Sequence, residues 1–297
     1  MPSGSRSSLR SRMRKSLTIA GLIAASLLLT AAWLMGSALS APALRSVGDA
    51  PSDLNATDVS FDGIKGWFVP ARDRAPCVLL MHGVRADRSS MIQRARLLRD
   101  AGYTSLLIDL QAHGESVGSH ITFGYLESDN ARAAVQLLRE KFHCRRVAAI
   151  GQSLGGAAAL LGGQPLQVDA LVIESVYPTI REAIADRLRI RLGRPGTLLT
   201  PILLLQLEPR LGIGEADLQP IRRIADFHHP VLIMSGEKDQ HTTLDETLRL
   251  YAAANEPKQL WVVPDAAHVD LQRFAPAAYS RQVLAFLNTH MPPTVAD

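Results

Sequence analysis

Residues 151–155 read Gly-Gln-Ser-Leu-Gly, and their types and spacing could support nucleophilic chemistry. They follow an apolar run at 147–150 and precede small residues at 156–159, which predicts a tight corner between a strand and a helix. Such a corner strains its middle residue and exposes the Ser153 hydroxyl, while glycine at 151 and 155 provides clearance. We predict that Ser153 is a nucleophile; a tight turn with an idle serine is the alternative.

Two further residues could activate this hydroxyl, because a serine needs a base and an orienting acid before it attacks a carbonyl. Asp239 follows a predicted strand at 231–236, and His268 follows another predicted strand at 259–263. The chain order serine, acid, histidine is one of the three known orders of such a triad. We therefore predict Ser153, Asp239 and His268 as the catalytic residues.

Other residues compete for the roles of base and acid. His241 lies only two residues after Asp239 and is better placed as a rim residue, and His82 is expected to brace its own loop. Glu174 ends a predicted strand at 170–173 and could replace Asp239 if the geometry required it. Asp239 is favoured because its strand ends in glycine, which leaves the following loop open.

Acyl transfer also needs hydrogen-bond donors fixed where the negative oxygen forms, and losing one such donor costs about 3 to 4 kcal/mol. We predict two backbone N–H groups for this oxyanion hole. One belongs to Leu154, at the start of a helix whose dipole favours negative charge. The other belongs to Val84, just after a predicted strand at 77–81.

Taken together, these motifs resemble the α/β-hydrolase fold superfamily, particularly its serine-aminopeptidase-like and esterase-like bacterial members. The resemblance covers the chain from about residue 58 to its end, and many relatives have glycine where Ala112 stands. It implies hydrolysis of a carboxylic-acid derivative and leaves the substrate open. The residues that carry it are His82-Gly83, the segment from Asp109 to Ser116, residues 151–155, Asp239 and His268.

The rest of the sequence has the alternation of strands and helices that this fold requires. Residues 59–61 and 64–69 predict a hairpin, and apolar strands then alternate with helices up to a last helix near 277–290. We predict an α/β fold with a mostly parallel eight-stranded sheet and helices on both faces. The predicted catalytic residues follow strand ends, where such sheets bind ligands.

The stretch between Pro178 and Pro230 contains no convincing strand. An insertion at this position resembles a helical cap over the active site, here at about 179–229. Its leucine-rich part at 198–207 could pack against the core domain or form the wall of an acyl pocket. One helix can do both. If it is exposed, it would also be attracted to a bilayer surface.

The amino terminus predicts a membrane location. Residues 1–16 carry five basic side chains and precede an uncharged run from Leu17 to Leu39, about 34 Å long as a helix against a hydrocarbon core of about 30 Å. This length favours an uncleaved transmembrane anchor at 17–40 in the inner (cytoplasmic) membrane, although cleavage after Ser40 would release a periplasmic or secreted protein. Either way, residues 1–16 remain cytoplasmic and the catalytic domain is exported.

The charged residues divide the chain in the same way. The net charge of +4 comes from the amino-terminal segment, so the remainder is nearly neutral and a nucleic-acid partner has no support. A linker at 41–56 leads to one α/β-hydrolase domain at 57–297. We expect no cofactor and no metal, because no cluster of cysteine and histidine has ligand spacing.

The two cysteines, Cys77 and Cys144, each precede a predicted strand. The strand order implied by the resemblance makes these strands neighbours, and an oxidising compartment then permits a disulfide. Two separate buried thiols are an equal alternative.

Two classes of function follow from these features. The first is a serine hydrolase that cleaves a small-molecule ester or thioester through an acyl-enzyme, with amide or peptide hydrolysis of serine-aminopeptidase type as a variant. The second is a non-catalytic, membrane-anchored binding protein with the same fold. A complete set of nucleophile, base, acid and donors favours the enzyme. Arg85, Asp87 and Arg88 could bind a polar or anionic group but are more typical of a solvated rim or a helix-start network; the sequence leaves the substrate and the oligomeric state open.

Overall fold

A computed structural model of the chain describes the backbone of residues 5–293 and the side chains of residues 12–293. Most of the predicted basic segment, residues 1–16, therefore lies outside the described side chains. Residues 294–297, the end of the predicted hydrolase domain, also lie outside the described residues.

The central element is an eight-stranded sheet with the order β10-β9-β8-β7-β4-β5-β3-β2. Only the pairs β2–β3 and β3–β5 are antiparallel, which confirms the prediction of a mostly parallel sheet. The short strands β1 and β6 form a separate parallel pair. The strands are β1 Ala43–Leu44, β2 Thr57–Phe61, β3 Ile64–Val69, β4 Cys77–Met81, β5 Thr104–Ile108, β6 His113–Gly114, β7 Val147–Gln152, β8 Ala170–Glu174, β9 Val231–Gly236 and β10 Lys258–Val263.

Eleven α-helices occur in the described part of the chain. They are α1 Ser5–Ser40, α2 Ile92–Asp100, α3 Glu127–Glu140, α4 Leu154–Leu160, α5 Ile180–Leu192, α6 Thr200–Leu204, α7 Leu207–Leu211, α8 Pro220–Arg223, α9 Leu244–Ala253, α10 Leu271–Phe274 and α11 Pro276–His290. Short 3-10 helices lie at Ser52–Leu54, Arg88–Met91, Arg194–Leu199, Glu215–Asp217 and Ile224–Asp226.

The hydrophobic core lies on both faces of the sheet. Along β4, Val78 and Leu80 join a cluster with α2 and α11, whereas Leu79 and Met81 join a second cluster with α3 and α4. This alternation follows from the two-residue period of a strand. The continuous apolar runs are therefore strands covered on both sides, which agrees with the prediction of helices on both faces.

The first hairpin is closed by a two-residue turn. Asp62 and Gly63 both have positive φ angles, 46° and 76°, as a type I′ turn requires. The predicted strand at 64–69 has the observed bounds, and the strand predicted at 59–61 begins two residues earlier, at Thr57.

The insertion at 179–229 contains helices α5 to α8 and, within this described range, no strand. Its leucines take two different environments. Leu203, Leu204 and Leu207 are buried, whereas Leu198 and Leu205 are 78% and 77% exposed. The leucine-rich segment therefore both packs internally and presents apolar side chains at the surface.

Helix α1 docks onto this insertion by its carboxyl-terminal half. Ala32 is buried against Leu188 and Leu203, and the Gln206 side chain donates a hydrogen bond of 3.0 Å to the Ala32 carbonyl. Its segment Arg12–Ser40, 29 residues with a mean hydropathy of 2.1, is long and apolar enough to cross a membrane; a signal sequence would have the same character. The helix runs without interruption from Ser5, inside the predicted basic segment.

The predicted linker at 41–56 is packed against the domain. The Ala43 and Arg45 N–H groups donate to the carbonyls of Ala112 and Gly114 at 2.7 and 2.8 Å, and Leu54 is fully buried. Ala112 has a φ of 57°, a left-handed conformation that glycine adopts more readily than alanine. The turn is nevertheless formed with alanine.

Cys77 and Cys144 form a disulfide, with Cα atoms 5.9 Å apart. Cys77 begins β4, and Cys144 lies shortly before β7, the strand that pairs with β4 in parallel. Of the two alternatives left open by the sequence, the structure contains the bridge.

Candidate active site

Ser153 lies at the corner between β7 and α4, with φ 48° and ψ −106°. A Cβ atom at Gly151 would lie 2.5 Å from the carbonyl carbon of Gly155, and one at Gly155 would lie 2.5 Å from the Met81 carbonyl oxygen. Glycine at both positions is therefore a steric requirement, as the sequence analysis expected. The serine retains a strained backbone because the surrounding strands and helix leave it no alternative.

Asp239 and His268 are brought together by the loops after β9 and β10. The distance from His268 Nδ1 to Asp239 Oδ2 is 2.7 Å. Asp239 Oδ1 accepts hydrogen bonds from the N–H groups of His241 and Thr242 at 2.8 and 2.9 Å. Burial raises the pKa of Asp239, but the hydrogen bond from His268 and these N–H groups outweigh it, so that the pKa is lowered. The carboxylate is thus charged and oriented toward the imidazole.

Ser153 and His268 share no hydrogen bond in the described chain. His268 is instead next to His241, with ring centroids 5.1 Å apart, and His241 lines the same cavity as Ser153. Hydrogen bonds between nucleophile and base are often long in the absence of substrate and shorten in the reactive complex. In this structure Asp239 and His268 are therefore hydrogen-bonded to each other, but His268 and Ser153 are not.

The two predicted donors, the N–H groups of Val84 and Leu154, have no hydrogen-bond partner among the described residues. Both residues line the cavity that contains Ser153. The Gly155 N–H donates to the His82 carbonyl at 3.1 Å, which ties the loop of Val84 to the helix of Leu154. Two unsatisfied donors beside a serine are suited to binding a negative oxygen.

His82 braces the donor loop, as expected for this rival of His268. Its Nδ1 donates to the Gly83 carbonyl at 2.7 Å, and its Nε2 accepts from the Leu110 N–H at 3.1 Å. Burial lowers the pKa of His82 to about 4, so the ring is neutral. Both ring nitrogens are occupied, and His82 is therefore not available as a base.

Glu174, the rival acid, belongs to a different network. It accepts hydrogen bonds from Arg94 Nη2 at 2.7 Å and from the Tyr279 hydroxyl at 2.6 Å. Arg94 also pairs with Asp270 at 3.0 Å. Burial alone would lower the pKa of Arg94, but the Glu174 charge outweighs it and raises that pKa. Glu174 is thus engaged in a buried ion pair and makes no bond to His268.

The charged residues after the donor loop are mainly structural. Asp87 accepts a hydrogen bond from the Ser89 N–H at 2.9 Å, and the buried Arg88 is paired with Asp109. Arg85 lines the cavity and donates to the Ala38 carbonyl in α1. The helix-start network, which the sequence favoured over ligand binding, is therefore present at Asp87 and Arg88.

A cavity of about 250 Å³ extends from Ser153 to the insertion and to the end of α1. His241, which was expected at a rim, lines this cavity, and so do Arg187 and Arg191, which no motif in the sequence singled out. The only sequence signal for these two arginines is the spacing of apolar side chains along 180–191, which indicates that one face of this helix is buried. No group of three or more His, Cys, Asp or Glu side chains within the described residues could hold a metal ion.

Residues 78–282 match the model of the Alpha/beta hydrolase family, which is more than half of the chain. The chain belongs to this family. The hydrolase is similar to the uncharacterized protein YqkD of Bacillus subtilis, with 28% identity over 76% of this chain and 75% of the relative. It is also similar to an uncharacterized protein of Mycobacterium tuberculosis, with 33% identity over 70% of each chain.

Solved structures agree with the fold of this hydrolase. An esterase of Pyrococcus furiosus superposes with a TM-score of 0.69 and 22% identity, covering 85% of this chain and 98% of the esterase. A bacterial membrane phospholipase A superposes with a TM-score of 0.58 and 16% identity, covering 94% of this chain and 98% of the other. At these identities the likeness concerns the fold.

The network around Arg94 provides a test of the role of Glu174. Glu174→Gln keeps the shape of the side chain but removes the charge opposite a fully buried guanidinium. We expect the free energy of unfolding, measured by urea denaturation, to fall by about 3 kcal/mol, the low end for a broken buried pair because Asp270 remains. Asp265→Asn, which breaks the exposed pair with Lys238, should change it little. Equal effects of the two substitutions would contradict this assignment.

Proposed function

We propose that this hydrolase is a serine hydrolase that cleaves carboxylic esters or thioesters through an acyl-enzyme at Ser153. The observation that carries the proposal is the strained Ser153 at a cavity bordered by the two unbonded N–H groups of Val84 and Leu154. The hydrogen bond from His268 to Asp239 supports His268 as the base.

In the proposed reaction, Ser153 Oγ attacks the ester carbonyl while His268 Nε2 takes its proton. Asp239 holds the other ring nitrogen and stabilises the positive charge that forms on the imidazole. The N–H groups of Val84 and Leu154 bind the oxygen that becomes negative. The alcohol then leaves with the proton from His268, and a water molecule activated by the same histidine releases the acid from Ser153.

The charge of the cavity favours esters over the peptide variant. A serine-aminopeptidase must bind the positive ammonium group of a free amino terminus, which calls for a carboxylate near the nucleophile. The described lining contains four arginines, at 85, 187, 191 and 210, and no Asp or Glu. An ester with an apolar acyl group fits this lining better than an amino-terminal residue.

We further propose that α1 is an uncleaved membrane anchor and that the catalytic domain lies on the exported side. Every described residue from Arg12 to Ala31 is exposed, including Leu17, Leu22 and Leu27, which suits contact with lipid. Ser40 is helical and only 1% exposed, and its carbonyl accepts a hydrogen bond from the Ile121 N–H at 2.9 Å. The end of α1 is thus packed against the catalytic domain, and an uncleaved anchor would keep these contacts.

Replacement of the nucleophile tests the proposed chemistry. Ser153→Ala should lower the turnover of p-nitrophenyl butyrate by about 10⁴ or more, because a triad acts as a unit. Ser119→Ala removes an exposed hydroxyl elsewhere and should retain full turnover. A loss of only a few fold in Ser153→Ala would place the chemistry elsewhere, and a wild-type protein without turnover would favour the non-catalytic binding protein.

The anchor can be tested by the mass and the extraction behaviour of the protein made in a bacterial host. The intact mass should correspond to a chain that retains residues 17–40, and the protein should stay in the membrane pellet after alkaline carbonate washing. A chain that begins at Ala41 in the periplasmic fraction would show that a signal peptide is removed.

A further inference from the structure

One face of α5 forms a wall of the cavity above Ser153. The lining residues of this helix recur at spacings of three and four, which places them on a single helical face. They are Ile180, Ala183, Ile184, Arg187, Ile190 and Arg191. The face is therefore apolar along most of its length and carries two guanidinium groups toward its carboxyl end.

The four arginines of the cavity are engaged to different degrees. Arg210 donates to Ser37 and to the Trp33 carbonyl at 2.5 and 2.7 Å, and Arg85 donates to Ala38, so both hold α1. Arg187 donates only to the Ala183 carbonyl of its own helix, at 2.8 Å. Neither Arg187 nor Arg191 forms an ion pair with any described residue. The carboxylates of Asp186, Asp239 and Glu246 attract the Arg187 charge without forming such a pair, so the guanidinium N–H groups of both arginines can still bind a ligand.

Both of these arginines lie on the side of the proposed catalytic base. His241, Arg187 and Arg191 line the same cavity. Burial lowers the pKa of His241, and the charges of His268, Arg187 and Arg191 lower it further against the opposite effect of Asp239. His241 in turn contacts His268. The base returns its proton to the leaving alcohol, so the leaving group of an ester would lie on the side of the cavity where His241, Arg187 and Arg191 are found.

The opposite walls of the cavity are apolar and include the end of the anchor. Leu203, Leu207 and Leu211 contribute from the insertion, and Gly36, Leu39 and Ser40 contribute from the last turn of α1. When α1 spans a bilayer, this last turn lies at the membrane surface. Leu198 and Leu205, in the same insertion, also present exposed apolar side chains. A hydrocarbon chain therefore has a short path from the bilayer to the cavity.

We propose that the substrate is an anionic membrane lipid ester, whose acyl chain fills the apolar part of the cavity and whose phosphate group on the alcohol side binds Arg187 and Arg191. This inference rests on the proposed ester hydrolysis at Ser153. Guanidinium groups bind phosphate through two parallel hydrogen bonds, and no Asp or Glu side chain lines the described cavity beside them. Hydrolysis transfers the acyl group to Ser153 and then to water, and the phosphate-bearing alcohol leaves with the proton of His268.

The test compares two lipids that share one acyl ester of glycerol. The full-length enzyme in neutral detergent micelles receives 1-oleoyl-lysophosphatidylglycerol or 1-oleoylglycerol, and the released oleate is measured by mass spectrometry. We expect kcat/KM to be at least about tenfold higher for the anionic lipid, the scale of a hydrogen bond to a charged group. Arg187→Gln and the exposed Arg191→Gln should each reduce this preference, mainly by raising KM for the anionic lipid. Arg222→Gln, an exposed arginine outside the cavity, should retain it.

Each outcome separates the lipid inference from the proposed function. Hydrolysis of p-nitrophenyl butyrate with equal rates on the two lipids would overturn the inference and leave the serine hydrolase standing. Equal losses on both lipids in Arg187→Gln and Arg191→Gln would also overturn it. Equal kcat/KM for water-soluble 1-butyryl-glycerol 3-phosphate and for the anionic lipid would assign the arginines to a soluble phosphate ester and contradict a lipid. Absence of hydrolysis of all these esters would reject both proposals.

Discussion

The backbone of Ser153 is the constraint on which the rest of the site depends. A non-glycine residue at φ 48° and ψ −106° costs about 1 to 3 kcal/mol and persists only where its surroundings determine it. Here the Ser153 N–H donates to the Glu174 carbonyl at 2.7 Å, and its carbonyl accepts from the Ala157 N–H at 2.9 Å. The register of β7 with β8 and the start of α4 therefore hold the hydroxyl at the carboxyl edge of the sheet, where the loops after β4, β9 and β10 also end.

The helical insertion and α1 turn this edge into an enclosed site. A parallel sheet leaves its carboxyl edge open, and residues of α5, α6 and α7 line the cavity above it. The insertion is itself held by α1, through Gln206 to Ala32 and through Arg210, whose guanidinium also stacks on Trp33 with 4.1 Å from Cζ to the ring centroid. Because α1 is also the proposed anchor, its contacts with Gln206 and Arg210 fix the distance of the cap from the proposed membrane surface. If α1 does anchor the chain, these contacts couple substrate access to membrane attachment.

Sequence reasoning anticipated the features that depend on local pattern. The alternation of apolar strands and helices predicted the sheet, and residues after strand ends predicted the pairing of Asp239 with His268. It could not anticipate the two-residue pair β1–β6, because two residues have no periodicity, nor the packing of residues 41–56 on the domain. It also missed Arg187 and Arg191, and it set His241 at the rim. The positions of these three residues depend on how the insertion folds over the sheet. The pattern of apolar residues along a helix shows which face is buried but not which element packs against that face.

The central claim is that the fold makes Ser153 a nucleophile, and labelling with a fluorophosphonate tests it most directly. Such a probe forms a covalent bond only with an activated serine. We predict one adduct in the folded protein, located by peptide mass spectrometry at Ser153, and its loss after unfolding in urea or in His268→Ala. No adduct at Ser153 in folded protein, or labelling that is independent of folding and of His268, would contradict the account.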